Sequence, residues 1–222
     1  MVQKNKKPIP ATAPAPRIAV MVAPKRRGRP RAYQPDVALA KALDLFRKAG
    51  FAATSLDDLS AATGMNRPSL YGAFGDKREL YIKSYQRYRD DARAAMIGIF
   101  RDELPIRKRL ERIYAIALDI YLGGESPRGC FTVMTAASEA VFDPEIRAMV
   151  LEGFVELDKA FAACFRQARD KGELPQSADP IVLSHLASAT IHSIAIRART
   201  GVARQELEAI VKGAIDVMLR GA

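Results

Sequence analysis

The sequence predicts an all-α protein, a three-helix domain carrying a helix-turn-helix and then a larger helical domain. Three observations lead there. Apolar residues recur at helical spacing along the chain, and from residue 104 onward no strand pattern appears. Residues 51–79, FAATSLDDLSAATGMNRPSLYGAFGDKRE, read as two short helices around a glycine-containing turn. Of the two C-terminal segments, the first is apolar or small nearly all round and the last carries an apolar stripe at helical spacing.

Residues 1–24 are rich in Pro, Ala and Lys, with PIPATAPAP at their centre, and cannot bury a core; a disordered tail is expected. Residues 25–35 form a basic arm around KRRGRPR. Arg27 and Arg29 flank Gly28, Pro30 stiffens the backbone, and the RGRP core is AT-hook-like, suited to a narrow A·T-rich minor groove. The alternative is a solvated charge run. Of the net charge of +10, nine lie in residues 1–35, which hold no Asp or Glu, leaving an ordinary globular body with a basic arm.

Residues 36–80 are expected to be the helix-turn-helix domain. The first helix, 36–49, presents Val37, Ala40, Leu43, Leu45 and Phe46 as its apolar face and stops at Gly50. Ser55 or Thr54 caps the second, Asp57 and Asp58 favour its first turn, and Gly64 ends it. Asn66 caps the third, where Pro68 is tolerated in the first turn. Leu70, Ala73 and Phe74 bury that helix, which leaves Arg67, Pro68, Ser69, Tyr71 and Gly72 exposed. Such a second helix reads a major groove: Arg67 suits guanine, Pro68 and Ser69 suit base edges, and Tyr71 suits a phosphate. Lys77, in the first turn of the next helix, suits a phosphate too. Thr54 completes the expected DNA-facing set.

Residues 81–222 are expected to be a larger helical domain. Helices are read over 76–100, 106–122, 130–141, 144–170, 180–200 and 204–220, with GGESPRG at 123–129 and KGELPQSAD as breaks. Tyr114, Tyr121, Phe131, Met134, Phe154 and Phe161 are candidates to line a cavity or else to fill a core. Leu186 and Ala189 on one helix, and Leu207, Val211, Ile215 and Met218 on the last, are the candidate dimer face.

The stretch resembles the DNA-binding domain of the TetR family of bacterial transcriptional regulators, through Gly50 and Phe51, TSLDDLSAATG, NRPSLYGAF and GDKREL. The resemblance covers residues 36 to about 85. It implies that the third helix reads the major groove and that Tyr71 and Lys77 contact the DNA backbone. It also implies a basic arm before the first helix, a ligand pocket among the middle helices, and a two-fold four-helix bundle from the last pair. The expected function is a homodimeric, sequence-specific regulator, a repressor released from a palindromic double-stranded operator by a small molecule. An activator, a ligand-independent DNA organiser, or an all-α enzyme are the alternatives.

Other chemistry is sparse. Cys130 and Cys164 make neither a disulfide framework nor a metal motif, and no cofactor is expected. Cys130 opens a helix after a flexible segment, near Arg128, which makes it a candidate redox sensor, the favoured alternative being a small apolar residue that packs the start of the helix. His185 and His192 share a helix face without a carboxylate or cysteine at ligand spacing. No phosphate loop or nucleophile elbow appears, so no enzyme is expected. No run of about 18 apolar residues marks a membrane span and no secretory leader is read, so a cytoplasmic protein is expected.

Overall fold

A computed structural model describes residues 34–124 and 128–220. The arm with Arg27 and Arg29 lies outside them. Ten helices and no strand occur among the described residues. They are α1 (Pro35–Ala49), α2 (Leu56–Thr63), α3 (Arg67–Phe74), α4 (Lys77–Phe100) and α5 (Ile106–Leu122). Then follow α6 (Phe131–Ala137), α7 (Glu139–Phe142), α8 (Pro144–Asp170), α9 (Pro180–Arg199) and α10 (Arg204–Arg220).

Local chemistry sets the boundaries. Ser55, not Thr54, caps α2, in a reciprocal box with Asp58, and Asp76 does the same for α4 with Glu79. Asn66 Oδ1 accepts the Ser69 N–H to cap α3. Gly64 takes the left-handed conformation (φ 72°) that closes α2 and turns the chain into α3. Asp143 and Asp179 each precede a proline, capping and starting α8 and α9. The helix read over 130–141 is instead two: Ser138 leaves helical geometry (φ −124°, ψ −90°) between α6 and α7.

α1, α2 and α3 form the head around Phe46, Leu59, Leu70 and Phe74. Val37, expected in that core, is half exposed; the buried face of α1 is Ala38, Ala42, Leu43 and Phe46. A chain of edge-on rings leads out of the head. Phe46 and Phe51 both pack on Tyr81 of α4 (5.0 and 5.2 Å between centroids), and Tyr81 packs on Phe131 of α6 (5.3 Å). The helix α4 runs unbroken through residues 80 and 81, so the two expected domains share it.

In the body, α8 packs along α9, and α5 and α10 pack against α9 and against each other. The stripe expected at a subunit interface on α10 is core of the chain itself. Leu207, Val211, Ile215 and Met218 are all buried, with Ile215 1% exposed, against α5 and α9. Periodicity identified the stripe but not its partner. The α9 helix has the length and mean hydropathy (1.3) of a membrane span, but its buried face is spent on α8, α5 and α10.

Candidate DNA-reading face and effector cavity

On the outer side of the head, α3 presents Arg67, Pro68, Tyr71 and Gly72 to solvent, with Ser69 half-buried beside them. Nothing among the described residues lies over Gly72 within 4 Å of where a Cβ would stand, so the helix backbone is open to a close-approaching surface. Arg67 is not idle. Its Nε and Nη2 donate to Asp57 Oδ1 of α2 (3.1 and 2.7 Å), an exposed pair that any base contact must break. The Lys77 ammonium sits over the Phe51 ring at 4.3 Å, at the N-terminus of α4. Thr54 is a correction. Its side chain is 1% exposed and its hydroxyl donates to Gly50 O (2.6 Å), so it braces the loop before α2 and offers nothing to DNA. Sequence reasoning missed Lys83, whose ammonium donates to Phe74 O (2.6 Å) and closes the C-terminus of α3.

Within the body lies a cavity of about 470 Å³ between α4, α5, α8 and α9. Of the expected lining residues, Tyr121 and Phe154 face it. Tyr114, Phe131, Met134 and Phe161 do not. Tyr114 donates its hydroxyl to Ala187 O (3.1 Å). Phe131 is enclosed by Tyr81, Tyr85 and Tyr88, and Phe161 by Phe100 and Tyr114. They are core. The wall the sequence did not assign is α4 itself, through Tyr88, Ala92, Met96 and Phe100, with Ile191 and His192 from α9. The four-residue spacing along α4 was the available signal. His192 packs on Phe154 (4.9 Å), and burial pushes its pKa down, so the imidazole is neutral near pH 7.

Cys130 also borders the cavity. It is buried at the start of α6, and its sulfur accepts the Tyr88 hydroxyl (3.4 Å). Burial, and then the neighbouring thiol, push both Tyr88 and Tyr121 well above the ordinary phenol pKa. Arg128, expected to activate the thiol, is paired with Asp44 of α1 instead. Cys164 is buried in α8 with its pKa pushed up by burial. His185 is exposed, 3.8 Å from Asp158. No cluster of His, Cys, Asp or Glu able to hold a metal occurs among the described residues.

Two polar junctions join the cavity wall to the head. At the first, Arg47 of α1 reaches over the Tyr88 ring (5.1 Å) and donates to Ile120 O and Gly129 O (3.0 and 3.1 Å). Arg199 at the end of α9 donates to Arg47 O (2.9 Å) and Arg128 O (3.1 Å). Gly129 is required here: its φ is 63°, and a Cβ would stand 2.6 Å from Ala195 O. At the second, Arg78 of α4 donates to both Asp143 oxygens (2.5 and 3.0 Å) and to Glu145 (2.7 Å) at the start of α8. The Arg78 hydrogen bonds hold Asp143 down at about 2.

A helix-turn-helix head joined by one helix to a cavity-bearing helical body defines a DNA-binding transcriptional regulator with room for an effector. Residues 38–83 match the family profile described as bacterial regulatory proteins, tetR family, and residues 107–214 match the tetracyclin repressor-like C-terminal domain. The chain belongs to the TetR family. It is 29% identical over 184 residues to the HTH-type transcriptional repressor ComR of Escherichia coli, covering 82% of this chain and 88% of that one. To the HTH-type transcriptional repressor BdcR of the same species it is 30% identical over 125 residues, 56% of this chain and 62% of that one. Among solved structures, a cysteine-substituted form of the TetR family regulator CifR, in complex with 26-bp double-strand operator DNA, superposes with a TM-score of 0.76. That pair shares 26% identity over 85% of this chain and 98% of that chain.

Proposed function

We propose that the chain is a repressor that binds a palindromic operator as a homodimer and leaves it when a small organic molecule occupies the cavity. One observation carries the reading: α4 holds the head with its N-terminal half and lines the cavity with its C-terminal half. An occupant that pushes on Tyr88, Met96 or Phe100 moves the same helix on which α3 is mounted. It releases DNA only if it binds the DNA-incompetent arrangement more tightly. The operator-bound CifR structure and the repressors ComR and BdcR support the direction of control.

The dimer face fits the outer surface of α8 and α9. Leu151 and Val155 on α8, and Val182, Leu186, Ala189 and Ile196 on α9, are exposed, and Leu186 is 47% exposed. This keeps Leu186 and Ala189 of the expected set and replaces the α10 residues. Two-fold pairing sets two α3 helices against two half-sites one helical turn apart. The arm, with Arg27 and Arg29, adds minor-groove and phosphate contacts in this reading.

Fluorescence anisotropy with duplexes from the DNA upstream of its own coding sequence tests the reading. Saturable, sequence-selective binding with two-fold symmetric protection is expected. Uniform binding that follows only salt would replace the repressor with a DNA-organising protein.

A further inference from the structure

The charges around the cavity are lopsided. Among the lining side chains Arg89, Arg93, Arg101 and Lys159 are cationic, and Glu156 is the one carboxylate. Glu156 is already neutralised, by Arg89 at 2.8 Å and Arg93 at 3.4 Å, while Arg89 also holds Glu152 at 2.9 Å. The Arg101 guanidinium and the Lys159 ammonium have no ion-pair or hydrogen-bond partner among the described residues. The acids that follow Arg101 in sequence are turned elsewhere: Asp102 to Arg112 at 3.0 Å and Glu103 to Lys171 at 3.6 Å. Both free cations are exposed, one at the end of α4 and one on α8, at the mouth of the cleft.

Deeper in, the polar side chains are Tyr88, Tyr121, Cys130, Thr132 and His192; burial pushes both phenols up and the imidazole down, so those three carry no charge near pH 7. The rest of the interior is aromatic or aliphatic. A cationic guest would find no free carboxylate, and a small inorganic anion would not fill the apolar interior. Resting on the reading of this cavity as the effector site, we infer that the effector is an amphipathic organic anion. Its apolar body lies between Met96, Phe100 and Phe154, and its single carboxylate-like head meets Arg101 and Lys159 at the mouth. The body is an alkyl chain or an aromatic ring system, and the head chemistry is common to both.

The test is calorimetric titration of the full chain with matched probes. These are decanoate against 1-decanol, 2-naphthoate against 2-naphthol, and decyltrimethylammonium. At least one acid should bind about tenfold tighter than its neutral partner, the size that two partly exposed charge contacts give. Which acid wins tells chain from ring. The Arg101→Gln/Lys159→Gln double variant changes only exposed side chains. It should bring acid and alcohol within about twofold of each other while leaving alcohol binding intact. Ala160→Trp, which fills the cleft, should abolish binding of every probe. Equal affinity of acids and alcohols, or a preference for the ammonium probe, overturns the anion inference and leaves the cavity reading standing. Binding that survives Ala160→Trp, or no binding of any probe, overturns both.

Discussion

In the proposed reading, single side chains on α3 set the strength of the DNA contact, and one of them, Arg67, is already paired in the free protein. Arg67 is tied to Asp57 in the free protein, so its use on a guanine exchanges a carboxylate for the neutral O6 and N7 acceptors of a base. Asp57→Ala should raise operator affinity several-fold by freeing Arg67 and removing a negative charge from the DNA side. Arg67→Ala should lower affinity at least about fivefold and relax specificity at one base pair. Lys77→Ala should weaken all sequences alike, and anisotropy titrations on operator and scrambled duplexes separate the three. Cys130 is the other residue at stake. It is buried against Tyr88 and its expected activator, Arg128, is paired with Asp44. Alkylation of Cys130 should therefore be slower than that of an exposed thiol, and an occupant of the cavity should slow it further. Rapid alkylation that releases operator, abolished in Cys130→Ser, would make it the redox sensor its position first brought to mind.

Single helices separate what folds the protomer from what pairs it. Ile215 on α10 and Leu186 on α9 both lie on apolar stripes, but only Ile215 is enclosed by its own chain. Ile215→Glu should destabilise the fold by about 3–5 kcal/mol in urea unfolding, because it buries an unpaired charge. Leu186→Glu should leave circular dichroism unchanged and yield a monomer by light scattering, with operator binding lost. Helix content and most boundaries were legible because caps, prolines and glycines are local signals: Asn66, Gly64, Asp143 and Asp179 act where they stand. The partner of a stripe is not local. The apolar period on α10 reads the same whether it meets α5 and α9 or another copy, which is why Leu207, Val211, Ile215 and Met218 were misplaced. Cavity walls suffer likewise: Phe131 and Phe154 are equally aromatic, yet one fills a core and the other faces a void.

Across the whole molecule two polar junctions supplement the aromatic joint between head and body, and each junction has a measurable signature. Arg47→Met keeps the stem over Tyr88 but removes the donors to Ile120 and Gly129. It should leave effector binding intact while weakening effector-driven release of operator, a split that gel shifts with and without effector report. The Arg78–Asp143 tie sits on a carboxylate whose folded pKa is depressed. Its contribution is therefore present above the ordinary value of about 3.9 and lost as pH falls through about 2. The gap between the parent and Asp143→Asn, which can still cap α8, should be flat from about pH 5 to 8 and close only in that acid window. Deleting residues 1–31 should flatten the salt dependence of DNA binding, since each lost phosphate contact removes about 0.9 from the log–log slope. The length of α4 has an evolutionary corollary. Met96, Ile97 and Phe100 lie near its far end, several turns from the ring stack at Tyr81. With the cavity as the proposed effector site and α3 as the proposed reading helix, substitutions there retune which molecule is sensed without disturbing which DNA is read. Substitutions on α3 can do the reverse. A lineage descended from this chain is thus free to exchange its signal and its target genes separately, so long as the aromatic joint between them is kept.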